Sequence, residues 1–278
     1  MATKVNPRKE AIKHTLIWFV LAFSLFPLLI MIVISFKDND QFTNNPFLPD
    51  APSEWKWANW AFGWNLVKNY IANSIVVSVA GVILGLTCAI LTSYVLARYR
   101  FPGHAVIYYS LIATMFLPGH AASLVTLYTM IGTLGLLNSL TALVLVGAAG
   151  AQVVSVFILR QFIEEIPREL FESAQMDGAG HLQQIRHIVL PMSGSVLATL
   201  AIMQFIGKWN NLMLPLIVLR DDEKRTVPVG LMLLEGEYVK QWGELMAGYT
   251  ISSIPLVVLF LFTMRLFVRG LSAGAVKG

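Results

Sequence analysis

Charge is what this chain of 278 residues has least of. Only 13% of it is Asp, Glu, Lys or Arg, and 56% is hydrophobic, with a mean hydropathy of +0.66. A soluble globular domain carries about 25% charged residues, so the deficit excludes an ordinary soluble protein and makes lipid the main solvent. The stretch Ala105–Leu159 contains no charged residue at all. There is one cysteine, Cys88, which excludes an intrachain disulfide or a cysteine metal site and is expected to pack as a small buried apolar residue. No GxxxxGK[ST] phosphate loop is present, because Gly207-Lys208 is followed by Trp209. The chain therefore does not hydrolyse ATP by itself. No Ser-His-Asp set and no close carboxylate pair lies in the apolar runs. Glu164 and Glu165 are adjacent but sit in a solvated segment, and His14, His104, His181 and His187 fall at segment ends without metal-ligand spacing. These absences argue against an intramembrane enzyme. No repeat of fixed period and no low-complexity tract is visible.

Long apolar runs are what remains. Trp18–Ile34, Ile71–Ala97, Ile188–Gly207 and Ala247–Met264 approach or exceed the roughly 20 residues that cross a bilayer as helix. Ala105–Leu159 has room for two more, with Gly132–Ser139 (GTLGLLNS) as the turn. The expectation is an all-α polytopic membrane protein with six transmembrane helices, forming one domain over residues 1–278. The first run has an apolar core longer than the 7–15 residues of a signal peptide and reads as a retained span. Lys4, Arg8, Lys9, Lys13, Arg98, Arg100, Arg160, Arg168, Arg186, Arg265, Arg269 and Lys277 then fall on one side. The other side mixes its cations with Asp38, Asp40, Asp50, Glu54, Asp221, Asp222, Glu223, Glu235, Glu237 and Glu244. The positive-inside rule makes the first side cytoplasmic, so both termini are expected inside. This asymmetry accounts for the net charge of +4 without nucleic acid. The extracytoplasmic loops are 36–70 and 220–246. The first carries Trp55, Trp57, Trp60 and Trp64, either as an aromatic belt at the interface or as a contact surface for an outside partner. The second, charged and then half apolar, is expected to fold partly back on the membrane domain.

The polar segment 164–191 is far longer than a turn requires. Pro167 suits the first position of a helix, where no amide hydrogen is needed, and Glu169 and Glu172 favour its early turns. Leu170 and Ala174 share a face, Phe171 and Met176 widen the apolar surface, and Gly178 stops the helix. A second helix runs from about His181 into the next span near Pro191. A helix of about ten residues is only ~15 Å long and is too short to hold alone, so it docks either on a partner groove or on the bilayer surface. In the fifth apolar region Gln204, Lys208 and Asn211 share a helical face, with Trp209 and Asn210 beside them. Amides and tryptophan suit sugar hydroxyls and ring faces, and the Lys208 cation suits an anionic sugar. The other reading is contact with neighbouring helices, or a lysine that snorkels to the interface. His120, after the helix-breaking Pro118-Gly119, is either a cavity-lining or a structural histidine.

Glu172-Ser173-Ala174, three residues, Gly178, nine residues and Ile188-Val189-Leu190-Pro191 together resemble the EAA loop of ABC importer permeases. The chain is similar in particular to the carbohydrate-uptake group, of the maltose-type second membrane subunit. Asn73-Ser74, Leu134-Gly135-Leu136 with Asn138, Trp209-Asn210, Pro215-Leu216-Ile217, Thr226–Leu231 and the ending 269–278 carry the likeness. The resemblance implies that Glu172, Ser173, Ala174, Asp177, Gly178 and Pro191 couple to an ATPase. It implies that the tail Gly274, Ala275, Val276, Lys277 and Gly278 reaches into the ATPase dimer, and that Gln204, Lys208, Trp209, Asn210, Asn211 and His120 are candidates for the solute pathway. The implied partners are a homologous permease, a cytoplasmic ATPase dimer, an extracytoplasmic sugar-binding protein and membrane lipid. The implied location is the cytoplasmic (inner) membrane of a prokaryote. No cofactor is expected on this chain, since ATP and Mg belong to the partner ATPases. The expected solute is a di- or oligosaccharide, with a uronide or glycerol phosphate as the alternative. An ion-coupled secondary transporter ranks lower, for want of carboxylates inside the spans and of internal repeats.

Overall fold

A computed structural model describes residues 7–116, 121–150, 152–237 and 241–275. Among them every long element is helical. Three helices are long and apolar enough to cross a membrane alone: α1 (Pro7–Ser35), α3 (Ala58–Arg98) and α14 (Trp242–Ala275). Between them lie α2 (Asn39–Asn44), α4 (His104–Thr114), α5 (Ala121–Thr133), α6 (Leu140–Gly150), α7 (Gln152–Glu165) and α8 (Arg168–Met176). After these come α9 (His181–Gln184), α10 (Leu190–Met192), α11 (Gly194–Trp209), α12 (Met213–Val218) and α13 (Val227–Glu237). Two bent pairs, α6 with α7 and α9–α10 with α11, each have the length and composition of one span, and α4 and α5 are shorter apolar helices. The described residues thus hold three helices long enough to span, or five spans if each bent pair counts as one, beside the six apolar runs expected. Helix boundaries differ from the sequence reading where loops were expected: α3 begins at Ala58, inside the first loop, and α13 occupies the middle of the second. Cys88, expected to be buried, is exposed on α3. An apolar helix flank in a membrane protein needs no cover from its own chain, because lipid supplies it.

The chain divides into two compact units. The first comprises residues 1–68 and 231–254. Beyond its charged first turns α1 is apolar on every face, and Trp18, Phe19, Phe23 and Leu29 are all exposed, as expected of a helix solvated by lipid. Order begins at the end of α1. The Phe36 ring packs against Trp55, Trp57 and Trp60 with centroids 4.8, 5.0 and 5.3 Å away. The Trp60 indole N–H donates to Ser35 Oγ at 3.1 Å, and Asn59 Nδ2 donates to the carbonyls of Ser35 and Lys37 at 3.0 and 2.9 Å. Lys37 is buried and pairs with Asp50 at 2.6 Å. Asp38 caps α2 in a capping box with Gln41. The Gln41 amide hydrogen bond, followed by Lys56 at 3.1 Å, holds the Asp38 carboxyl below the usual range. The loop is therefore a folded structure whose tryptophans divide: Trp55 and Trp60 are partly covered, while Trp57 and Trp64 are exposed.

The second unit comprises residues 69–230 and 255–278, and its described residues form three apolar clusters. Val77, Ile131, Ala142, Leu143, Leu214 and Val218 join α3, α5, α6 and α12. Ala89, Leu96, Val156, Leu159 and Leu200 join α3, α7 and α11. Tyr94, Ile163, Ile166, Phe171, Ile185 and Val189 gather α8 and the chain that follows it onto the ends of α3 and α7. Polar side chains clamp the connections. Asn138, at φ 58°, uses Oδ1 to accept from the amides of Arg220 and Asp221 at 3.0 and 3.2 Å, and Nδ2 to donate to the Asp221 carboxylate at 2.6 Å. That last bond lowers the Asp221 carboxyl below its ordinary value. Asn73 donates to the carbonyls of Glu223 and Arg225 at 2.7 and 2.9 Å, and buried Ser74 Oγ accepts the Val227 amide at 2.8 Å. The motif residues Asn73, Ser74 and Asn138 thus serve as backbone ties, which irregular chain beside a membrane needs in place of water.

Candidate functional site

Pro167 occupies the N-cap of α8, one position earlier than the sequence suggests. At the other end Gly178 takes φ +81°. Its amide bonds the Gln175 carbonyl at 3.0 Å, and the Ala179 amide bonds the Ala174 carbonyl at 2.8 Å. These two bonds form a Schellman motif, with Asp177 as C-cap and glycine at the left-handed position. Phe171 is the one buried residue of α8, at 1% exposure, with the Arg98 guanidinium 3.9 Å from its ring centroid and the Tyr94 ring 6.4 Å away. The expectation that Phe171 joins an outward apolar surface is therefore corrected: it anchors α8 to its own chain. Leu170, Glu172, Ser173 and Met176 remain exposed, Met176 at 89%.

The polar floor beneath α8 was not foreseen from the sequence. Tyr94 Oη donates to Gln184 Oε1 at 2.8 Å, Gln184 Nε2 donates to the Ala179 carbonyl at 3.2 Å, and the hydroxyl of Tyr99 meets His181 Nδ1 at 2.8 Å. Gln184 is 2% exposed. Nothing in local periodicity marks it, because its side-chain partner Tyr94 lies 90 residues away in α3. From there the chain continues through α9, one π-helical turn at Ile185–Val189 and α10. Pro191, with no amide hydrogen, lies in α10 just before Ser193, where the axis turns by 83° into α11.

Gln204, Lys208 and Asn211 line one cavity of about 510 Å³ with Ser155, Gly147, Leu124, Leu127, Met203 and Leu214. The three come together as expected, but only Gln204 and Lys208 do so along a helix, because α11 ends at Trp209. Gln204, buried, donates to Ser155 Oγ at 2.9 Å and accepts from Lys208 Nζ at 3.2 Å. The Lys208 stem lies against two glycines: a Cβ on Gly81 would stand 2.7 Å from Lys208 Cε, and one on Gly147 would stand 3.6 Å away. Lys208 therefore points along the helix interface toward Gln204 and does not snorkel. Gly81, Gly147 and Ser155 are the site residues that sequence reading missed. Glycines in apolar helices are visible, but which side chain they admit is not. Trp209 does not join the cavity lining. It is 2% exposed and stacks on Phe205 at 5.7 Å, so its indole is spent on packing rather than offered to a sugar ring. Asn210 is the C-cap of α11, and Asn211 Oδ1 accepts the Leu214 amide at 3.4 Å at the start of α12. Both therefore sit in a helix break and not within a continuous span. His120, Val276, Lys277 and Gly278 lie outside the described residues, and Gly274 and Ala275 close α14. Among the described residues no group of His, Cys, Asp and Glu is arranged to hold a metal.

Apolar helices in this number, a short amphipathic helix pinned to their polar end and a polar notch between them define an integral membrane transport subunit. The chain belongs to the family of binding-protein-dependent transport system inner membrane components, whose family model matches residues 81–273. It is 33% identical over 276 residues to the probable ABC transporter permease protein YurM of Bacillus subtilis, covering 98% of this chain and 91% of that one. It is 32% identical over 257 residues to the trehalose/maltose transport system permease protein MalG of Thermococcus litoralis, covering 91% and 92%. Its fold matches a chain from the crystal structure of a bacterial ABC transporter that imports the acidic polysaccharide alginate. The TM-score is 0.81 at 19% identity, over 95% of this chain and 98% of that one. The chain is thus a non-catalytic permease component of the inner membrane.

Proposed function

We propose that this permease carries a carbohydrate inward and that α8 is the surface on which a cytoplasmic ATPase dimer acts. The carrying observation is the construction of α8. One buried residue, Phe171, fastens it, a Schellman turn at Gly178 closes it, and Glu172, Ser173, Leu170 and Met176 are left facing out. Such a helix is rigidly joined to the chain yet offers a free face. Force applied there passes through α9, Pro191 and the bend at Ser193 into α11, which bears Gln204 and Lys208. The named relatives that transport sugars favour a carbohydrate as the solute. A homologous permease completes the pathway, and a binding protein delivers the solute from outside. Both termini lie in the cytoplasm, residues 1–278 act as one permease domain, and residues 274–278 reach the ATPases. ATP and Mg stay on those subunits.

Gly178→Pro tests this reading. Proline fixes φ near −65° and removes the amide that bonds Gln175. The variant is expected to insert into the membrane normally while its ATPase turnover no longer drives uptake. Variants altered across Glu172–Gly178 are expected to lose the copurifying ATPase. Full transport by Gly178→Pro would overturn the assignment.

A further inference from the structure

Lys208 is the only cation among the described residues that line the cavity, and its surroundings are unusual for a structural lysine. Its stem is lodged beside Gly81 and Gly147, and the described hydrogen bond of its ammonium is the one to Gln204 Oε1 at 3.2 Å. The ammonium only donates, so it fixes the Gln204 amide with Oε1 toward Lys208 and Nε2 toward Ser155 Oγ. An ammonium has three donors, and the described residues engage one of them. Among the described residues no carboxylate lies within 4.0 Å of Lys208, and none of the cavity-lining residues is acidic. A cation held inside a membrane span without a counter-charge is costly, and such residues mark ion or substrate paths. The remaining walls are carbon, from Leu124, Leu127, Val146, Leu200, Met203 and Leu214, interrupted by Ser155, Gln204 and Asn211. Hydroxyls need only those neutral groups. The cation is superfluous for a neutral sugar and complementary to an acidic one.

Resting on the carbohydrate pathway proposed above, we infer that Lys208 makes the cavity selective for carbohydrates bearing an anionic group, a carboxylate or a phosphate ester. The ammonium pairs with that group during passage, while Gln204 and Asn211 meet the hydroxyls.

The test needs no knowledge of the natural solute. In the assembled, detergent-solubilised transporter carrying Cys88→Ala, a Met203→Cys substitution places a thiol on the cavity wall. Its reaction rates with an anionic and a cationic methanethiosulfonate are compared. The ratio of anionic to cationic rate is expected to fall at least about fivefold in Lys208→Gln and to be kept in Lys208→Arg, because a unit charge a few ångströms away acts through the poorly screened interior. Protection of the thiol by a glucuronate-bearing disaccharide or by a sugar phosphate distinguishes the two anion sources. Protection by either but not by a neutral disaccharide supports the inference. If both reagents react but the ratio ignores Lys208→Gln, an acid of the sister permease already neutralises Lys208, and the anion inference alone falls. If neither reagent reaches the thiol, the cavity is not on the solute path and both readings fall.

Discussion

Truncating Phe171 to alanine removes the only buried side chain of α8. The helix has nine residues and its remaining side chains are partly or fully exposed, so it has no second anchor and no intrinsic stability to fall back on. Phe→Ala in a core costs 3–5 kcal/mol, and loss of the Arg98 guanidinium 3.9 Å from the ring adds about 0.5–1 kcal/mol. At the edge of a cluster that can partly collapse, the low end applies. About 3 kcal/mol of local stability corresponds to roughly a 100-fold change in the opening equilibrium, since 1.4 kcal/mol is tenfold. The cost falls on α8 alone, because Tyr94, Ile163, Ile166, Ile185 and Val189 still pack on one another. Hydrogen exchange of the amides of residues 168–177 in the purified transporter reads this directly. Protection should drop about 100-fold, with the transmembrane helices unchanged and uptake uncoupled from ATP hydrolysis. Phe171→Leu, which keeps most of the volume and loses the cation–π contact, should lose about fivefold. Protection of residues 168–177 within threefold of wild type in Phe171→Ala would refute the single-anchor account.

Two further outcomes follow from the ties outside α8. Ser74→Ala leaves the Val227 amide, buried beside it, without an acceptor. Stability should fall by about 1–3 kcal/mol, seen as a lower midpoint of thermal unfolding in detergent, and an unchanged midpoint would show that water replaces the hydroxyl. The Asp38 carboxyl is held below its ordinary value by the Gln41 amide and by Lys56. Its contribution to the α2 cap is therefore complete above the ordinary carboxylate value and is lost as pH falls through the lower folded value. Exchange of the amides of residues 39–44, corrected for intrinsic rates, should rise below about pH 4. Asp38→Asn, which keeps a capping acceptor but cannot titrate, should flatten that profile.

The helical class, the apolar runs and the boundaries of α8 were legible in the sequence because each rests on local physics. A membrane segment declares itself by length and lack of charge. A short helix closed at Gly178 declares itself by amphipathic spacing and one glycine. Gln204 and Lys208 could be grouped because four residues along a helix bring side chains to one face, whereas Asn211 reaches the same cavity from the break after α11. Long-range facts were not available in the same way. The sequence offered Phe171 as an exposed aromatic and Trp209 as a candidate for the solute pathway, and both are buried. A face's orientation depends on what packs against it, and for Phe171 that partner is Arg98 with Tyr94, more than 70 residues earlier. Asn73 and Asn138 were visible as motif residues, but that they hold the backbone at 218–225 is a matter of tertiary geometry.

By itself, the sequence determined that this chain lives in lipid, has no GxxxxGK[ST] phosphate loop and carries a polar segment far longer than a turn requires. Those are properties of composition, periodicity and missing motifs, which need no neighbours. Only the tertiary structure decided how that segment is held, where the bend into α11 falls, and that Lys208 lies beside Gly81 and Gly147 with its ammonium on Gln204. The reason is steric. A lysine in a span has a role only once the space for its stem and the partners of its charge are known, and both come from helices distant in the chain.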